Sequence, residues 1–330
     1  MNSILEKFRD SDLKIEPSVT TFLSSEQRGR VLVACSGGAD SVFTLILLCA
    51  HRSTLNLDIS VAHFNHKWRA EASNEDCRFV QALAQRLAIP FYSENSQSQE
   101  ITQTETHARS ERISFLRACA AEINADAIAF GHQNDDILET QIQRLGRGSA
   151  LEGLIAPRPI HYFPSYPTHI RPVLHLSSSH IEDQLKAFNI QWREDSSNED
   201  QSIIRNKLRH TIIPLLSEAM KRNVSEGASR SRRLLEEDSD LLNTLAKERL
   251  GACFSLEPRL DRICLRNESQ SLTRRAFFYW LRKLIPNQEV SATLQEKIME
   301  AIYGERFREK FSIGEKFLVM NKREIWIDNR

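Results

Sequence analysis

The stretch Val31-Leu-Val-Ala-Cys35-Ser36-Gly37-Gly38-Ala39-Asp40-Ser41 decides how the chain folds. Its first part, Val31–Cys35, is a continuous apolar run of the kind found in buried parallel strands. A mostly apolar segment that is typical of a helix follows at Val42–Ala50. Gly37 and Gly38 therefore stand between a strand and a helix, where backbone N–H groups converge without a Cβ in the way. Such a turn, beside the partial positive charge of a helix N-terminus, suits the phosphates of a nucleotide.

Three side chains in the turn add to this interpretation. Ser36 and Ser41 supply hydroxyl donors for a phosphate, and Asp40 is suited to hold Mg²⁺ beside one. A plain turn whose acid only favours the helix dipole is the alternative. The turn lacks the Gly-Lys-Ser/Thr end of a Walker loop and the three-glycine dinucleotide spacing. Taken whole, with Ala39, it resembles the pyrophosphate loop of the ATP pyrophosphatases, which cleave ATP to AMP and pyrophosphate while they adenylate an oxygen.

The composition limits the classes of protein to which the chain can belong. At 330 residues, 41% of them hydrophobic, the chain has room for a large domain and a smaller one. Its 44 basic and 44 acidic residues balance, so a nucleic-acid surface must be a local patch. The six cysteines show no C-x-x-C spacing, which favours buried thiols in a reducing compartment over a disulfide framework or a zinc site. We find no signal pattern and no apolar stretch near the roughly 18 residues of a membrane span, and therefore expect a cytoplasmic protein without membrane contact.

Strands and helices alternate after the first strand–helix unit. Strands are predicted at Asp58–Phe64, Pro90–Glu94, Ala127–Gly131 and Ile170–Leu176. Helices are predicted at Ser73–Ala88, Thr104–Ile123, Asn134–Leu145 and Ser178–Phe188. This alternation predicts an α/β fold with a doubly wound parallel sheet, in which ligands bind beyond the carboxyl ends of the strands. Polar clusters fall at these ends, namely Ser36–Ser41, His63–Arg69 and His132–Thr140.

The second cluster contains two histidines. His63 and His66 suggest a metal site, but no third soft ligand is near, so hydrogen bonds to a nucleotide or to neighbouring loops are the preferred interpretation. Arg109 and Arg112 are three residues apart and share one face of their predicted helix. That face either binds phosphate or base, or is a solvated basic surface.

The third cluster combines acids with a histidine. After Gly131 ends its strand, His132, Asp136 and Thr140 follow at spacings of four and would share one helical face beside Glu139. Such a face can ligate Mg²⁺, move protons or orient an incoming amine. The alternative is that the acids at the helix start are only partners of the helix dipole.

Two later segments bear on nucleic-acid binding. The loop Leu151–Pro172 holds five prolines, and its aromatic residues Tyr162, Phe163 and Tyr166 either stack on bases or pin the loop down. The segment Ser202–Leu235 carries eight basic against two acidic residues. It either binds a phosphate backbone or is a solvated helix surface.

The last part of the chain shows no catalytic constellation. Long helical material at Ser217–Leu250 leads into a smaller unit at 251–330. The elements predicted there are strands at Asp261–Leu265, Lys316–Met320 and Glu324–Ile327 and helices at Ser271–Leu284 and Ser291–Tyr303.

Between residues 30 and 215 the motifs resemble, in the same order, those of the tRNA(Ile)-lysidine synthetases. The matching pieces are Ser36–Ser41, His63–Arg69, the Arg109/Arg112 pair, Gly131–Thr140, Arg171-Pro172, Glu194–Asn198 and Arg205–Arg209. The resemblance implies a Rossmann-like ATP-pyrophosphatase catalytic domain at 1–215, a helical linker at 216–250 and a small α+β C-terminal domain at 251–330 that contacts tRNA.

The resemblance also implies a reaction. Such enzymes convert the wobble cytidine of an isoleucine tRNA with a CAU anticodon into lysidine, with ATP as cosubstrate and Mg²⁺ as cofactor. ATP adenylates O2 of cytosine, pyrophosphate leaves, and the ε-amine of free L-lysine then displaces AMP at C2. Because an ammonium cannot attack and the lysine amine has a pKa of about 10.4 in water, the site must remove a proton from it.

Roles carry over to this chain residue by residue. Catalytic roles fall on Asp40, His132 and Asp136, with Asp40 as the Mg²⁺ ligand. ATP binding falls on Ser36, Gly37, Gly38, Ala39, Asp40, Ser41, His63, Asn65, Arg109, Arg112 and Gly131. Contacts to tRNA or phosphate fall on His66, Arg69, Glu139, Arg205, Asn206 and Arg209.

Two other functions compete with this interpretation. A 2-thiolation enzyme of tRNA shares the ATP chemistry but usually needs a reactive cysteine pair, which the sequence lacks. A non-catalytic tRNA-binding protein with a degenerate nucleotide loop would not need Asp40, His132 and Asp136. ATP consumption that depends on both lysine and tRNA separates the three. The sequence leaves the oligomeric state open, a homodimer among the options.

Overall fold

The computed structural model describes residues 1–25, 29–67, 71–96, 105–163, 165–194, 204–254, 258–285, 288 and 290–329. The chain divides into two compact units. The N-terminal unit comprises Met1–Ile142 and Ala156–Arg230, and the C-terminal unit comprises Gln143–Ile155 and Ser231–Arg330. The boundary at Arg230 assigns most of the predicted linker 216–250 to the C-terminal unit. The functional division into a catalytic domain at 1–215 and a tRNA-contacting domain at 251–330 stays a prediction.

The N-terminal unit is built on a six-stranded sheet in the order β3-β2-β1-β4-β6-β5. Its strands are β1 (Arg30–Ala34), β2 (Asp58–Asn65), β3 (Phe91–Asn95), β4 (Ala127–Phe130), β5 (Ile160–His161) and β6 (Thr168–Ile170). All neighbouring strands are parallel except β5, which pairs antiparallel with β6. The chain returns from β3, at one edge, to place β4 on the other side of β1. This reversal opens a crevice at the carboxyl ends of β1 and β4. The predicted doubly wound parallel sheet is confirmed.

Helices form most of the rest of the chain. They are α1 (Asn2–Asp10), α2 (Pro17–Leu23), α3 (Ala39–His51), α4 (Glu71–Leu87), α5 (Glu105–Glu122), α6 (Asp135–Gly146), α7 (Leu151–Leu154), α8 (Ser178–Ala187), α9 (Ile204–Lys207), α10 (Ile213–Met220), α11 (Val224–Leu250), α12 (Arg262–Arg266), α13 (Gln270–Leu284) and α14 (Ala292–Tyr303). A π-helical turn, Leu208–Ile212, joins α9 to α10. α3 is buried at every position from Ser41 to Ala50, because almost all of its side chains are apolar. The turn that precedes α3 is therefore anchored on a rigid element.

Among the described residues, no helix is both apolar and long enough to cross a membrane.

The fifth strand lies earlier than predicted. The segment Ile170–Leu176 is largely a turn, and β6 ends at Ile170. Pro172 explains the early end, because proline has no N–H to donate to a neighbouring strand. The short antiparallel strand β5 was not predicted, since two residues give no periodic pattern.

The C-terminal unit contains an antiparallel sheet in the order β7-β10-β9-β8. Its strands are β7 (Leu260–Asp261), β8 (Glu309–Ile313), β9 (Lys316–Met320) and β10 (Glu324–Asn329). The predicted strand at Asp261–Leu265 is wrong beyond its first residue. The Asp261 carboxylate accepts the N–H groups of Ile263 at 2.8 Å and Cys264 at 3.0 Å, and this cap starts α12 instead.

Two cysteines correct the expectation of free thiols throughout. Cys253 and Cys264 form a disulfide, with Cα atoms 5.5 Å apart. The pairing arises because β7 and α12 turn the chain back on itself, which the spacing of the cysteines in the sequence does not reveal. Cys35, Cys49 and Cys119 are buried free thiols, as expected.

Candidate active site

The turn after β1 leaves backbone donors available. Ser41 Oγ accepts the N–H of Ser36 at 3.1 Å, which holds the two ends of the turn together. Gly37 has a φ of 98°, a conformation that favours glycine. The N–H groups of Ala39 and Asp40, in the first turn of α3, donate to no acceptor among the described residues. These donors and the helix N-terminus can receive an anion such as a phosphate.

The end of β4 lies directly against this turn. A Cβ on Gly131 would lie 2.8 Å from the carbonyl carbon and oxygen of Asp40 and from the nitrogen of Ser41. Because these are backbone atoms, no side-chain rotation could relieve the overlap, and glycine alone permits the approach. The phosphate-type turn and the Gly131-His132 segment therefore belong to one site.

Asp40 is the acid at the centre of this arrangement. Burial raises the pKa of Asp40 to about 7, with a further increase from the charge of Asp136 and an opposing effect from Arg209. Its Oδ1 atom is buried and has no hydrogen-bond partner among the described residues. A buried carboxylate oxygen without a donor is suited to a cation, and a divalent cation would favour the ionised form.

Asp136, Glu139, Arg205 and Arg209 form an arginine–carboxylate cluster. Arg205 binds Asp136 at 2.5 Å and Glu139 at 2.6 Å, while Arg209 binds the same two acids at 3.0 Å and 2.6 Å. Glu139 is completely buried and Asp136 is 5% exposed. Burial opposes the charge of Arg205, but the two carboxylates outweigh it and raise the pKa of the guanidinium. The cluster ties α9 and the π-helical turn to α6.

The cluster bears on the predicted roles of its members. Both Asp136 oxygens are engaged, since Oδ1 accepts from the two arginines and Oδ2 accepts the N–H of Gln133 at 2.9 Å. Side chains predicted to contact tRNA therefore bind a predicted catalytic acid. Asn206, with the same predicted role, lies half-buried in α9 between them.

His132 lies in the loop before α6, not on the helix. The predicted helical face shared by His132, Asp136 and Thr140 is therefore wrong for the histidine. α6 starts only at Asp135. The sequence pattern missed this because the Asp136 carboxylate accepts the N–H of Gln133, a side-chain cap that starts the helix after His132.

Burial and nearby arginines both disfavour the charged form of His132. Burial lowers the pKa of His132 well below its ordinary value, and the charges of Arg171, Arg205, Arg112 and Arg109 lower it further. Its Nδ1 atom is buried and has no hydrogen-bond partner among the described residues. The imidazole is therefore neutral, and the site carries a positive field suited to a polyphosphate.

The residues at the end of β2 are held by neighbouring loops. His63 Nδ1 donates to the carbonyl oxygen of Cys35 at 2.9 Å. The Asn65 amide donates to Asn74 at 3.0 Å and accepts the N–H of Lys67 at 2.9 Å. The loop-contact interpretation thus accounts for these two side chains, which shape the carboxyl edge next to the turn.

His66 lies further along the same loop. Its ring packs edge-on against Phe64, with centroids 4.8 Å apart. Burial and the charge of Arg112 lower its pKa to about 4, so it is neutral at physiological pH. Arg69, the other predicted contact in this segment, lies outside the described residues.

Sequence reasoning missed Arg193. Its N–H donates to the Gly37 carbonyl at 2.9 Å, and its side chain binds Asp76 at 2.9 Å and Glu75 at 2.7 Å. Arg193 thus joins α4 to the phosphate-type turn. Its only signal in the sequence is a basic residue in a polar turn after Trp192.

Comparisons with known proteins show the family of the chain. The family model described as the PP-loop domain matches residues 11–216. A tRNA(Ile)-lysidine synthase of Geobacter sulfurreducens is 37% identical over 257 residues, which cover 75% of this chain and 54% of the relative. Another, from a Synechococcus strain, is 29% identical over 269 residues, which cover 82% of this chain and 81% of the relative. The chain spans little more than half the length of several such curated relatives.

A solved structure supports the fold. The U34-tRNA thiolase NcsA from Methanococcus maripaludis, with its [4Fe-4S] cluster, aligns with a TM-score of 0.54 at 14% identity. The alignment covers 71% of this chain and 79% of the thiolase. At this identity the likeness concerns the fold alone. Because the family model covers more than half of the chain, including the turn at Ser36–Ser41, the chain belongs to the PP-loop domain family.

Proposed function

We propose that the protein is an ATP-dependent C–N ligase that attaches free L-lysine to C2 of the wobble cytidine of tRNA(Ile) with a CAU anticodon. Cytosine O2 attacks the α-phosphorus of ATP, and pyrophosphate leaves. The ε-amine of lysine then attacks C2 and loses a proton, the C2–O2 bond breaks, and AMP leaves with that oxygen. The similarity to curated tRNA(Ile)-lysidine synthases supports this reaction.

One observation carries the proposal within the structure. The N–H groups of Ala39 and Asp40, which donate to no acceptor among the described residues, lie where the backbone of Gly131 meets the turn. A polyphosphate on those donors would have its reactive end beside His132, at the carboxyl edge where ligands of such sheets bind. Ser36, Gly37, Gly38 and Ser41 would then hold the pyrophosphate that leaves.

Asp40 would hold Mg²⁺ through its buried Oδ1. Mg²⁺ in nucleotide sites is usually bound by one or two carboxylates together with substrate phosphates, so a single acid fits the chemistry. When bound, the ion would neutralise charge that develops on the departing pyrophosphate.

His132 is the better candidate to accept the proton of the lysine amine. It is neutral and has a buried nitrogen that has no partner in the part of the chain that the structure describes. The oxygens of Asp136, by contrast, are engaged by Arg205, Arg209 and the N–H of Gln133. In the free protein the pKa of His132 is kept low by burial and by the charges of nearby arginines. A bound polyphosphate would offset their charge and raise the pKa of the imidazole towards the useful range.

The remaining roles follow from the substrates. Arg109 and Arg112 would act on ATP, while His66, Arg69, Arg205, Asn206 and Arg209 would contact tRNA or phosphate once the arginine–carboxylate cluster rearranges. The C-terminal unit would add tRNA contacts. We expect the reaction to take place in the cytoplasm, as the proposed tRNA substrate suggests. We make no proposal on the oligomeric state.

The test is to measure AMP and pyrophosphate formation with tRNA(Ile) and lysine, each omitted in turn. The proposal expects ATP consumption only when both are present. ATP consumption that depends on a sulfur donor but not on lysine would favour a thiolation enzyme. Binding of tRNA without ATP consumption would favour a non-catalytic protein.

A variant pair locates the chemistry. Asp40→Asn should lower turnover by at least about 100-fold, because charge stabilisation at the pyrophosphate is lost, while tRNA affinity stays near that of the unaltered protein. Asp58→Asn is the matched control, because Asp58 is the exposed first residue of β2 and so lies away from the carboxyl ends of the strands, where the site is. Full turnover in Asp40→Asn contradicts the assigned role.

A further inference from the structure

A series of neighbouring rings, in tilted or edge-to-face contact, leads away from the candidate active site. Starting at His132, successive ring centroids are 5.7 Å apart to Phe130, 4.8 Å to His169, 4.5 Å to Phe163 and 6.5 Å to Tyr166. These rings, which we call the ring ladder, run from the end of β4 across β6 to the loop between β5 and β6. The ladder therefore links the reacting edge to an outer surface.

The outer end of the ladder is an aromatic ring stacked on a cation. The Arg117 guanidinium lies 4.0 Å from the centroid of Tyr166 and 5.2 Å from that of Phe163. Tyr166 is 40% exposed, so part of its ring remains open. Tyr162, in the same loop, is 63% exposed but lies beside Phe22 on another part of the surface.

Arginine charges act on this end of the ladder. Burial lowers the pKa of His169 to about 3, and Arg171, Arg117 and Arg109 act in the same direction. His169 Nε2 and Arg117 Nε are both buried, and neither has a hydrogen-bond partner among the described residues. Positive charge beside an open aromatic ring is the arrangement by which proteins bind unpaired nucleotides of RNA.

We propose that Tyr166, Phe163 and Arg117 form a stacking platform for an unpaired base of the RNA substrate, next to the nucleotide that reacts near His132. This inference rests on the proposed function and adds a substrate-positioning surface to it. The platform lies at the opposite end of the ladder from the phosphate-type turn, so it serves a second nucleotide of the RNA and not the adenine of ATP.

The test uses four proteins: the unaltered chain, Tyr166→Ala, Tyr166→Phe and Tyr162→Ala. Each is titrated with an anticodon stem–loop RNA and, separately, with ATP. Tyr166→Ala should weaken RNA binding about tenfold or more, the effect of losing one base–aromatic stack. ATP binding should be unchanged. Tyr166→Phe, which keeps the ring, and Tyr162→Ala, which alters the same loop, should bind RNA within about twofold of the unaltered chain.

A fluorescent base reports stacking directly. With 2-aminopurine at a loop position flanking the wobble cytidine, the unaltered chain should quench emission, and Tyr166→Ala should not. Unchanged RNA affinity in Tyr166→Ala, or an equal loss of affinity in Tyr162→Ala, overturns the platform. An equal loss of ATP affinity in Tyr166→Ala also overturns it, because the ring would then serve adenine.

Lysine incorporation by the unaltered chain is measured in parallel. If it incorporates lysine while Tyr166→Ala matches it in RNA binding, the platform is wrong and the proposed function stands. If the unaltered chain binds the RNA through Tyr166 but incorporates no lysine, the proposed function is wrong and the platform stands.

Discussion

Asp40 is a carboxylate in a place that penalises its charge. Its Oδ1 is buried, and Asp136 and Asp135 add like charge. Residues of this kind are concentrated at functional sites, where a ligand supplies the missing partner. The buried charge of Asp40 therefore lowers the stability of the ligand-free fold, and a bound cation would relieve this cost.

This leads to a prediction on stability. The pKa of Asp40 is about 7 in the folded protein against an ordinary value of 3.8. Because the folded state holds this proton more tightly, the contribution of Asp40 to the free energy of unfolding falls as pH rises from about 4 to about 7. Above that pH it levels off. Without Mg²⁺ and ATP, Asp40→Asn should be more stable than the unaltered chain at pH 8 by about 2 to 4 kcal/mol.

Urea denaturation of both proteins at pH 8 and pH 5 measures the effect. The advantage of Asp40→Asn should shrink markedly at pH 5, where the unaltered carboxyl is protonated in the fold. An advantage that is equal at the two pH values, or a loss of stability at pH 8, contradicts the burial of this charge.

Arg262 holds several segments of the C-terminal unit together. It is 1% exposed, and its guanidinium donates to carbonyl oxygens at 2.5 to 3.3 Å. The acceptors are those of Ala301, Ile302, Gly304, Arg306 and Asn321. One side chain thus satisfies the C-terminal carbonyls of α14 and the loops beside it.

Arg262→Lys should lower the stability of the C-terminal unit by about 2 to 4 kcal/mol, because an ammonium cannot reach all the acceptors that a planar fork reaches. Hydrogen exchange of the β8–β10 sheet measures the change. Arg259→Lys is the control: Arg259 is half-exposed and pairs with Glu324 at 2.7 Å, so its change should be under about 1 kcal/mol. Equal exchange in the two variants would show that the network around Arg262 is not needed.

At the scale of elements, the join between β4 and α3 decides whether the site forms. Gly131→Ala would place a Cβ against the backbone of Asp40 and Ser41, so the strand end must move away from the turn. ATP affinity should fall at least about tenfold. Gly146→Ala is the matched control, since nothing lies within 4 Å of its Cβ position; it should leave ATP affinity unchanged. Isothermal titration of both variants gives the comparison, and similar affinities would contradict the close approach.

The arginine–carboxylate cluster is a second join between elements. Glu139→Gln should lower stability by about 2 to 4 kcal/mol, because two partly buried guanidiniums lose the charge of a fully buried carboxylate. The loss should be largest at 204–212, which Arg205 and Arg209 tie to α6, and smallest in β1. Hydrogen exchange resolved by segment measures this. Glu182→Gln, at an exposed ion pair with Lys186, serves as the control. Uniform loss of protection along the chain would contradict a local role.

For the whole molecule, the sequence predicts the sheet and the glycine turn of the N-terminal unit better than it predicts individual side-chain contacts. The run Val31–Cys35, the glycine turn and the apolar helix are local signals, so the sheet, the turn and its neighbours are confirmed. The position of His132 and the Asp261 cap depend on carboxylates that accept backbone N–H groups two or three residues away, and the Cys253–Cys264 pair depends on a chain reversal. Hydrophobic periodicity does not report such contacts. Arg193 was missed for a different reason, because its partners Glu75 and Asp76 lie more than a hundred positions away.

The central claim for the whole molecule is that the site activates an RNA base through its own oxygen. The most direct measurement uses tRNA(Ile) carrying ¹⁸O at O2 of the wobble cytosine, with ATP, Mg²⁺ and lysine, and analyses the released AMP by mass spectrometry. We predict one ¹⁸O atom in the phosphate of AMP for each lysidine formed. Formation of lysidine with unlabelled AMP, or no AMP formation that depends on lysine and tRNA, would contradict the claim.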